Sequence, residues 1–187
     1  MNTNACLYQD LTKVLVTREE IAEAVRALGR QITQDYAGKE PVLICILKGA
    51  SVFFTDLIRE IDLPITTEFM AISSYGGGTK SSGIVKIVKD LDRDISGRDV
   101  LIVEDIVDSG RTLAHLSQVL ATRKAASINI ATLLDKPARR VVPLEVKYHC
   151  FNIPDAFVVG YGLDYDEKYR NLPDIGVLAP KIYGGES

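Results

Sequence analysis

Residues 100–112 read VLIVEDIVDSGRT, an apolar run that passes through two adjacent acids into a short turn of small residues. Val100 to Val103 is apolar at every position, which is typical of a strand covered on both faces in a parallel sheet. The turn Asp108-Ser-Gly-Arg-Thr112 then leads into a predicted helix, in which Leu113 and Leu116 stand at helical spacing. A strand, a tight turn and a helix in this order predict an α/β domain with a doubly wound, mainly parallel sheet.

The rest of the chain continues this alternation. Thr17-Arg-Glu-Glu20 has the sequence of a capping box, and the apolar residues after it recur at helical spacing up to a stop at Gly38. Val42 to Leu47 is a second fully apolar strand, followed by a predicted helix from Ser51 to Ile61. The Pro- and Gly-rich tail from Leu172 is expected to be irregular. Further strands are predicted over residues 65–75, 84–90, 128–134, 145–151 and 157–162.

Composition and charge indicate one compact globular domain over residues 1–187. The chain is 47% hydrophobic and 25% charged, which is too apolar for disorder, and its net charge of −3 argues against a protein that coats nucleic acid. Three cysteines stand far apart with no C-x-x-C pair, and Cys45 and Cys150 lie in apolar runs, so we expect free thiols and no structural zinc. The chain also lacks a signal-like amino terminus and an apolar run long enough for a membrane span. These features predict a cytoplasmic protein.

The acids and the turn of residues 100–112 predict a ligand site. Glu104 and Asp105 are expected at the end of a buried strand, a costly placement unless hydroxyls, a metal or water engages them. The turn that follows offers backbone amides and a helix dipole to a phosphate monoester. An ordinary strand-to-helix connection would explain the turn alone, but not its combination with the acid pair. The chain has neither a P-loop nor a dinucleotide fingerprint, and no G-x-S-x-G elbow of a serine hydrolase.

Residues 103–112 resemble the phosphoribosyl pyrophosphate (PRPP) signature of type I phosphoribosyltransferases, in the form found in hypoxanthine-guanine phosphoribosyltransferases. Leu47-Lys48-Gly49 resembles the pyrophosphate loop of that family, and Ser74-Tyr75 with the glycines of residues 76–83 resembles its flexible catalytic loop. Lys136 and the segment FVVGYGLD of residues 157–164 match its purine and metal segments, and Arg170 follows at the family spacing. The similarity extends over about residues 10 to 183.

This resemblance implies a purine salvage enzyme. Its fold would carry a small hood and a flexible loop beside the main sheet. It would transfer ribose 5-phosphate from PRPP to N9 of hypoxanthine or guanine, with Mg²⁺ as cofactor, and release pyrophosphate and IMP or GMP. The expected partners are these small molecules and further copies of the chain in a homodimer or homotetramer, with no nucleic acid and no membrane.

The resemblance also assigns the residues that hold PRPP and the metal. Glu104 and Asp105 would hold the ribose hydroxyls, and together with Asp164 they would contact Mg²⁺. The pyrophosphate would contact Lys48, Gly49 and Arg170, and in this family the Leu47–Lys48 peptide is often cis. The 5-phosphate would be bound by Asp108, Ser109, Gly110, Arg111 and Thr112.

The remaining assignments concern the purine and the loop. Asp108 would be the catalytic residue, contacting N7 and accepting a proton. Lys136 would donate to O6, Phe157 would stack on the ring and the Val158 backbone would contact the far edge of the base. Ser74 and Tyr75 would begin the loop that closes over the site.

Several alternatives stay open at this stage. Lys136 could be a solvated lysine, Phe157 a core residue, and Asp164 with Arg170 a surface ion pair. The base preference could include xanthine. A PRPP-binding regulator of RNA or DNA would share the fold, although it would need a basic face that this acidic chain does not indicate. A sugar-phosphate hydrolase or kinase would need a nucleophile motif or an ATP loop.

Overall fold

The computed structural model describes residues 5–74 and 85–184, which form two sheets with helices packed around them. The helices are α1 (Ala5–Tyr8), α2 (Arg18–Asp35), α3 (Ser51–Arg59), α4 (Arg111–Ala121) and α5 (Pro180–Tyr183), with one turn of 3-10 helix at Pro137–Arg139. The strands are β1 (Leu11–Val16), β2 (Val42–Leu47), β3 (Thr66–Ser74), β4 (Val85–Lys89), β5 (Asp99–Val107), β6 (Ser127–Asp135), β7 (Tyr148–Asn152), β8 (Val158–Val159) and β9 (Ile175–Leu178).

The main sheet has the strand order β4-β3-β2-β5-β6-β7. All neighbouring pairs are parallel except β3 with β4. Alternate residues of a central strand enter different cores: Leu43 packs with side chains of α2 and α3, whereas Ile44 packs with those of α4. Helices therefore cover both faces, and the predicted doubly wound α/β fold is confirmed.

The capping box and the two helices predicted for α2 and α3 are confirmed, with small differences in where the helices end. The amide of Glu20 donates to the Thr17 hydroxyl at 3.3 Å, and the amide of Thr17 donates to the Glu20 carboxylate at 2.8 Å, which completes the capping box. Gly38, with φ of +75°, follows the end of α2. Helix α3 ends at Arg59, two residues before the predicted end at Ile61.

A second, three-stranded sheet has the order β1-β9-β8 and is antiparallel throughout; it forms the small hood that the family resemblance implies. The expectation of an irregular tail from Leu172 is wrong, because Ile175 to Leu178 forms β9 with both of these residues fully buried. The predicted strand over residues 157–162 shortens to Val158–Val159 and lies in the hood. Strand β1 had no local signal, since its partner β9 lies far away in the sequence.

The acid pair lies within β5 and not at its end. Pairing with β2 stops at Val103, but β6 continues alongside as far as Val107, so the strand extends through Glu104 and Asp105. The carboxylates therefore lie on a part of β5 that pairs with β6 alone, beyond the point where its pairing with β2 stops. At the far side of the sheet, β7 begins at Tyr148, three residues after the predicted start.

Cys45 is buried, Cys150 is partly buried and Cys6 is exposed, and all are free thiols. Within residues 5–74 and 85–184, no helix is long and apolar enough to cross a membrane.

Candidate active site

Two adjoining cavities open beyond the ends of β2, β5 and β6. The first, of about 240 Å³, is lined mainly by the turn from β5 into α4. The second, of about 280 Å³, lies against Lys136 and the segment that includes Phe157. Asp105, Ile106 and Asp108 line both cavities, so the strand that carries the acids forms their common wall.

The turn of residues 108–112 forms one side of the first cavity. Gly110 is the N-cap of α4 with φ of +79°, a conformation that favours glycine. A Cβ at this position would lie 2.8 Å from the Arg140 Cδ, and the amide of Val141 donates to the Ser109 carbonyl at 3.1 Å. Residues 140 and 141 therefore support the turn on the side away from the cavity. Its small residues line the cavity. The first amides of α4 have no partner inside the helix, although that of Arg111 donates to the Ser109 hydroxyl at 3.5 Å, and such amides can donate to a phosphate.

Glu104 and Asp105 form a carboxylate pair without a cation in direct contact among the described residues. Burial, followed by the charge of Asp105, raises the pKa of Glu104 well above its usual range. Burial also raises the pKa of Asp105, although the amide of Ile106 donates to its Oδ1 at 2.7 Å. The Glu104 Oε2 atom is buried and has no hydrogen-bond partner in the described part of the chain. The pair therefore favours a ligand that brings hydroxyl donors or positive charge.

The donor set fits Mg²⁺ only if a substrate supplies further oxygens. No group of three His, Cys, Asp or Glu residues in the described ranges could hold a metal ion by itself. Glu104 and Asp105 nevertheless offer carboxylate oxygens, the ligand type that Mg²⁺ prefers, and one of these oxygens is free of other contacts. Asp164, in the second cavity, is paired with Arg170 at 2.9 Å and accepts the amide of Glu167 at 2.9 Å.

The residues assigned to pyrophosphate lie beside this acid pair. The Leu47–Lys48 peptide is cis, as the family resemblance implies. A Cβ at Gly49 would lie 1.7 Å from the Asp105 Oδ2, so only glycine permits the close approach of this loop to the carboxylate. Arg170 donates from Nη1 to the Gly162 carbonyl at 2.8 Å, and its Nε is buried without a partner among the described residues.

The second cavity is lined by a buried cation and an exposed aromatic ring. Lys136 is 7% exposed and donates to the Ala156 carbonyl at 2.7 Å, so it is not a solvated lysine. Phe157 is 40% exposed and lines the cavity, so it is not a core residue. Its ring stacks on Tyr183 of α5 with the ring centroids 5.0 Å apart. The support from Tyr183 was not predicted, because the tail was expected to be irregular.

The structure adds two residues to the predicted set. Ile106 lines both cavities, and its position between the acid pair and Asp108 in the signature could have indicated this. Arg139 donates from Nε to Asp108 Oδ1 at 3.1 Å and from Nη1 to Asp155 Oδ2 at 3.3 Å. No sequence pattern pointed to Arg139, since the contact depends on the path of the chain after β6.

The prediction of a closing loop stays a prediction. Ser74 is the last residue of β3, and Tyr75 with residues 76–83 lies outside the described residues.

Comparison with known proteins agrees with this geometry. Residues 13–166 match the model of the phosphoribosyl transferase domain. The hypoxanthine-guanine phosphoribosyltransferase of Streptococcus thermophilus is 55% identical over 177 residues, which cover 95% of this chain and 98% of that protein. The protein of the same name from Streptococcus pneumoniae is 56% identical with the same coverage. A crystal structure of a hypoxanthine phosphoribosyltransferase from Staphylococcus aureus matches with a TM-score of 0.94 and 51% identity, over 97% of this chain and 98% of that one.

Proposed function

The chain belongs to the phosphoribosyl transferase family and, within it, to the hypoxanthine-guanine phosphoribosyltransferases, and on this basis we propose that it transfers ribose 5-phosphate from PRPP to a 6-oxopurine. The bond between C1 of the ribose and pyrophosphate breaks, and a bond between C1 and N9 of hypoxanthine or guanine forms. The observation that carries the proposal is the pair of cavities joined through Asp105, Ile106 and Asp108. One cavity offers phosphate donors, and the other offers a buried lysine beside an exposed ring.

The β5–α4 turn binds the 5-phosphate of PRPP in this proposal. The amides of residues 109–112 and the hydroxyls of Ser109 and Thr112 donate to the phosphate oxygens, and the dipole of α4 adds favourable electrostatic energy. The Arg111 amide belongs to the same set as the first residue of α4. Because Gly110 and Ser109 are held by Arg140 and Val141, little reorganisation accompanies binding.

Glu104 and Asp105 bind the ribose. The ribose hydroxyls donate to their carboxylates, which removes the cost of burying them without partners. The same negative charge favours the positive charge that develops on C1 as pyrophosphate departs. Glu104, Asp105 and Asp164 would hold Mg²⁺, which when bound would supply positive charge to the pyrophosphate oxygens.

Lys48, Gly49 and Arg170 bind the pyrophosphate. The two side chains supply positive charge, and the missing side chain of Gly49 lets the backbone approach the ligand and Asp105 together. Neutralising the leaving group in a site shielded from water lowers the barrier to departure. The loop that begins at Ser74 and Tyr75 closes over the reaction centre and protects PRPP from hydrolysis.

The second cavity binds and orients the base. Lys136 donates to O6, Phe157 and Ile106 contact the ring faces, and the Val158 backbone contacts the far edge. Asp108 lies beside N7 and accepts its proton while N9 bonds to C1. A 6-amino group would place a donor against the Lys136 ammonium, so adenine is a poor substrate.

We also propose the cellular setting of this activity. The free thiols of Cys45 and Cys150 suit the reducing cytoplasm, and the family resemblance implies a homodimer or homotetramer. The substrates are small molecules, and nothing in the net charge of −3 favours a nucleic acid or an acidic membrane surface.

Nucleotide formation from PRPP and Mg²⁺, with hypoxanthine, guanine, xanthine and adenine offered separately, tests the proposal. Product from hypoxanthine and guanine with little from adenine is the expected result, and the xanthine rate defines the tolerance at the far edge of the base. If none of the bases gives product while PRPP still binds, the chain is a PRPP-binding regulator and the proposed reaction is wrong.

A further inference from the structure

Glu167 bridges the two cations that are assigned to pyrophosphate. Its Oε2 lies 3.1 Å from Lys48 Nζ, and its Oε1 lies 3.4 Å from Arg170 Nη2. Each carboxylate oxygen therefore faces one cation, and the group joins the loop after β2 to the segment after Asp164. The residues assigned to catalysis and binding above do not include Glu167.

A tight turn presents Glu167 to these cations. Backbone hydrogen bonds of 3.0 and 3.2 Å join Tyr165 and Lys168, and the two residues between them, Asp166 and Glu167, have φ of +51° and +61°. The Glu167 amide also donates to Asp164 Oδ2 at 2.9 Å. A left-handed conformation is unfavourable for a residue with a side chain, and such residues are common at functional sites.

We propose that Glu167 is a stand-in for pyrophosphate: the Glu167 carboxylate pairs with Lys48 and Arg170, and the pyrophosphate group of PRPP displaces it from them on binding. The inference rests on the proposed function, because that reaction brings pyrophosphate to these cations. Pyrophosphate carries several charged oxygens against the single charge of the carboxylate, so the substrate wins the exchange. After the reaction, the carboxylate competes with the product for the same cations and favours its release.

The contacts of Glu167 suit such an exchange. The side chains of Lys48 and Glu167 are 70% and 65% exposed, and exposed ion pairs of this kind contribute little to stability. Arg170 keeps its contacts with Asp164 at 2.9 Å and with the Gly162 carbonyl at 2.8 Å when Glu167 leaves. Displacing the carboxylate therefore frees Lys48 and one contact of Arg170, while the arginine keeps its place.

The substitution Glu167→Gln tests the inference, because it keeps the shape of the side chain and removes its charge. We expect the KM for PRPP and the dissociation constant of pyrophosphate with Mg²⁺, measured by calorimetry, each to fall about fivefold. Asp166→Asn is the matched control: it removes the same charge one residue away, where the carboxylate contacts Lys168 at 3.9 Å and neither of the two cations. In that variant both constants should change less than about twofold.

Two results would overturn the stand-in role. Equal constants in the two variants would show that Glu167 does not compete for the cations. A higher KM in Glu167→Gln would show that the carboxylate positions Lys48 and Arg170 for the substrate. The unmodified protein separates this inference from the function on which it rests: if it forms no nucleotide, the proposed function fails, whereas an active protein with either of these results loses only the role of Glu167.

Discussion

Strand β5 carries an acid near each end of the main sheet, and the pKa values of these two acids are shifted in opposite directions. At its amino end, Asp99 lies 3.2 Å from Lys39 Nζ and accepts the Ser127 hydroxyl. The Ser127 hydrogen bond is the main cause that lowers the pKa of Asp99. Toward the carboxyl end of the same strand, the pKa of Glu104 is raised by burial and by the charge of Asp105.

This contrast indicates where the fold leaves polar groups without protein partners, so that a ligand can engage them. The other polar groups at the amino end also pair with one another: the Asn129 amide donates to the Tyr36 hydroxyl at 2.9 Å, and the Tyr148 hydroxyl donates to Asp35 at 2.8 Å. At the carboxyl end, the Glu104 Oε2 and Arg170 Nε atoms are buried without a hydrogen-bond partner among the described residues, which costs stability. Substitutions at the carboxyl end should therefore change kinetics, and those at the amino end should change stability.

Asp108→Asn should give the largest effect. The amide keeps the size of the side chain but does not accept the N7 proton, so kcat should fall about 10²- to 10⁴-fold. The dissociation constant of PRPP, measured by calorimetry, should stay within about threefold, because the phosphate amides are unchanged.

The control for this variant is Asp155→Asn, which removes the other carboxylate that Arg139 contacts. Its kcat should fall far less, because Asp155 does not accept the proton. Near-normal turnover in Asp108→Asn would remove Asp108 from the catalytic role.

Lys136→Ala should give the next largest effect. Loss of the donor to O6 should lower kcat/KM for hypoxanthine about 10- to 100-fold, whereas kcat/KM for adenine should change little. The ratio of the two kcat/KM values should therefore become smaller. Lys39→Ala removes a lysine from the amino end of the sheet, where it pairs with Asp99, and should leave that ratio as it was. An unchanged base profile in Lys136→Ala would contradict the assignment of the lysine to O6.

The same contrast separates what the sequence could predict from what it could not. The contiguous signals of residues 100–112 and of the capping box at Thr17 were sufficient for β5, α4 and α2, because a few neighbouring residues decide these elements. The family resemblance implied the hood, but its strands β1 and β9 could not be predicted from local patterns, since Leu11 pairs with Leu178 and neither segment has a pattern of its own. The roles of Arg139 and Glu167 could not be predicted for the same reason, because their contacts join segments that only the fold brings together.

Glu104→Gln should stabilise the protein without ligand while it weakens PRPP binding. A neutral amide avoids the cost of a buried charge and can donate to Asp105, so the free energy of unfolding at neutral pH should rise by about 1 kcal/mol. Because the pKa of Glu104 is raised in the folded state, the native carboxyl becomes protonated as the pH falls, and the advantage of the variant should shrink in acid. Urea unfolding at neutral and acidic pH measures this difference, and calorimetry should give PRPP binding about tenfold weaker. A variant less stable than the unmodified protein at neutral pH would mean that the acid pair contributes to folding.

Asp99→Asn is the counterpart at the amino end and should give the smallest effect. It weakens the contacts with Lys39 and Ser127, so the free energy of unfolding at neutral pH should fall by about 0.5–1 kcal/mol, with kcat and both KM values unchanged. The pKa of Asp99 is lowered in the folded state, so its contribution exists above the ordinary pKa of a carboxyl group and is lost as the pH falls through the folded value. Urea unfolding should therefore give equal stability for the two proteins in acid and a gap at neutral pH, opposite in sign to that of Glu104→Gln. A kinetic effect of Asp99→Asn would contradict the division of the sheet into a structural and a ligand-binding end, because it would mean that the paired acid at the amino end affects the reaction through the length of β5.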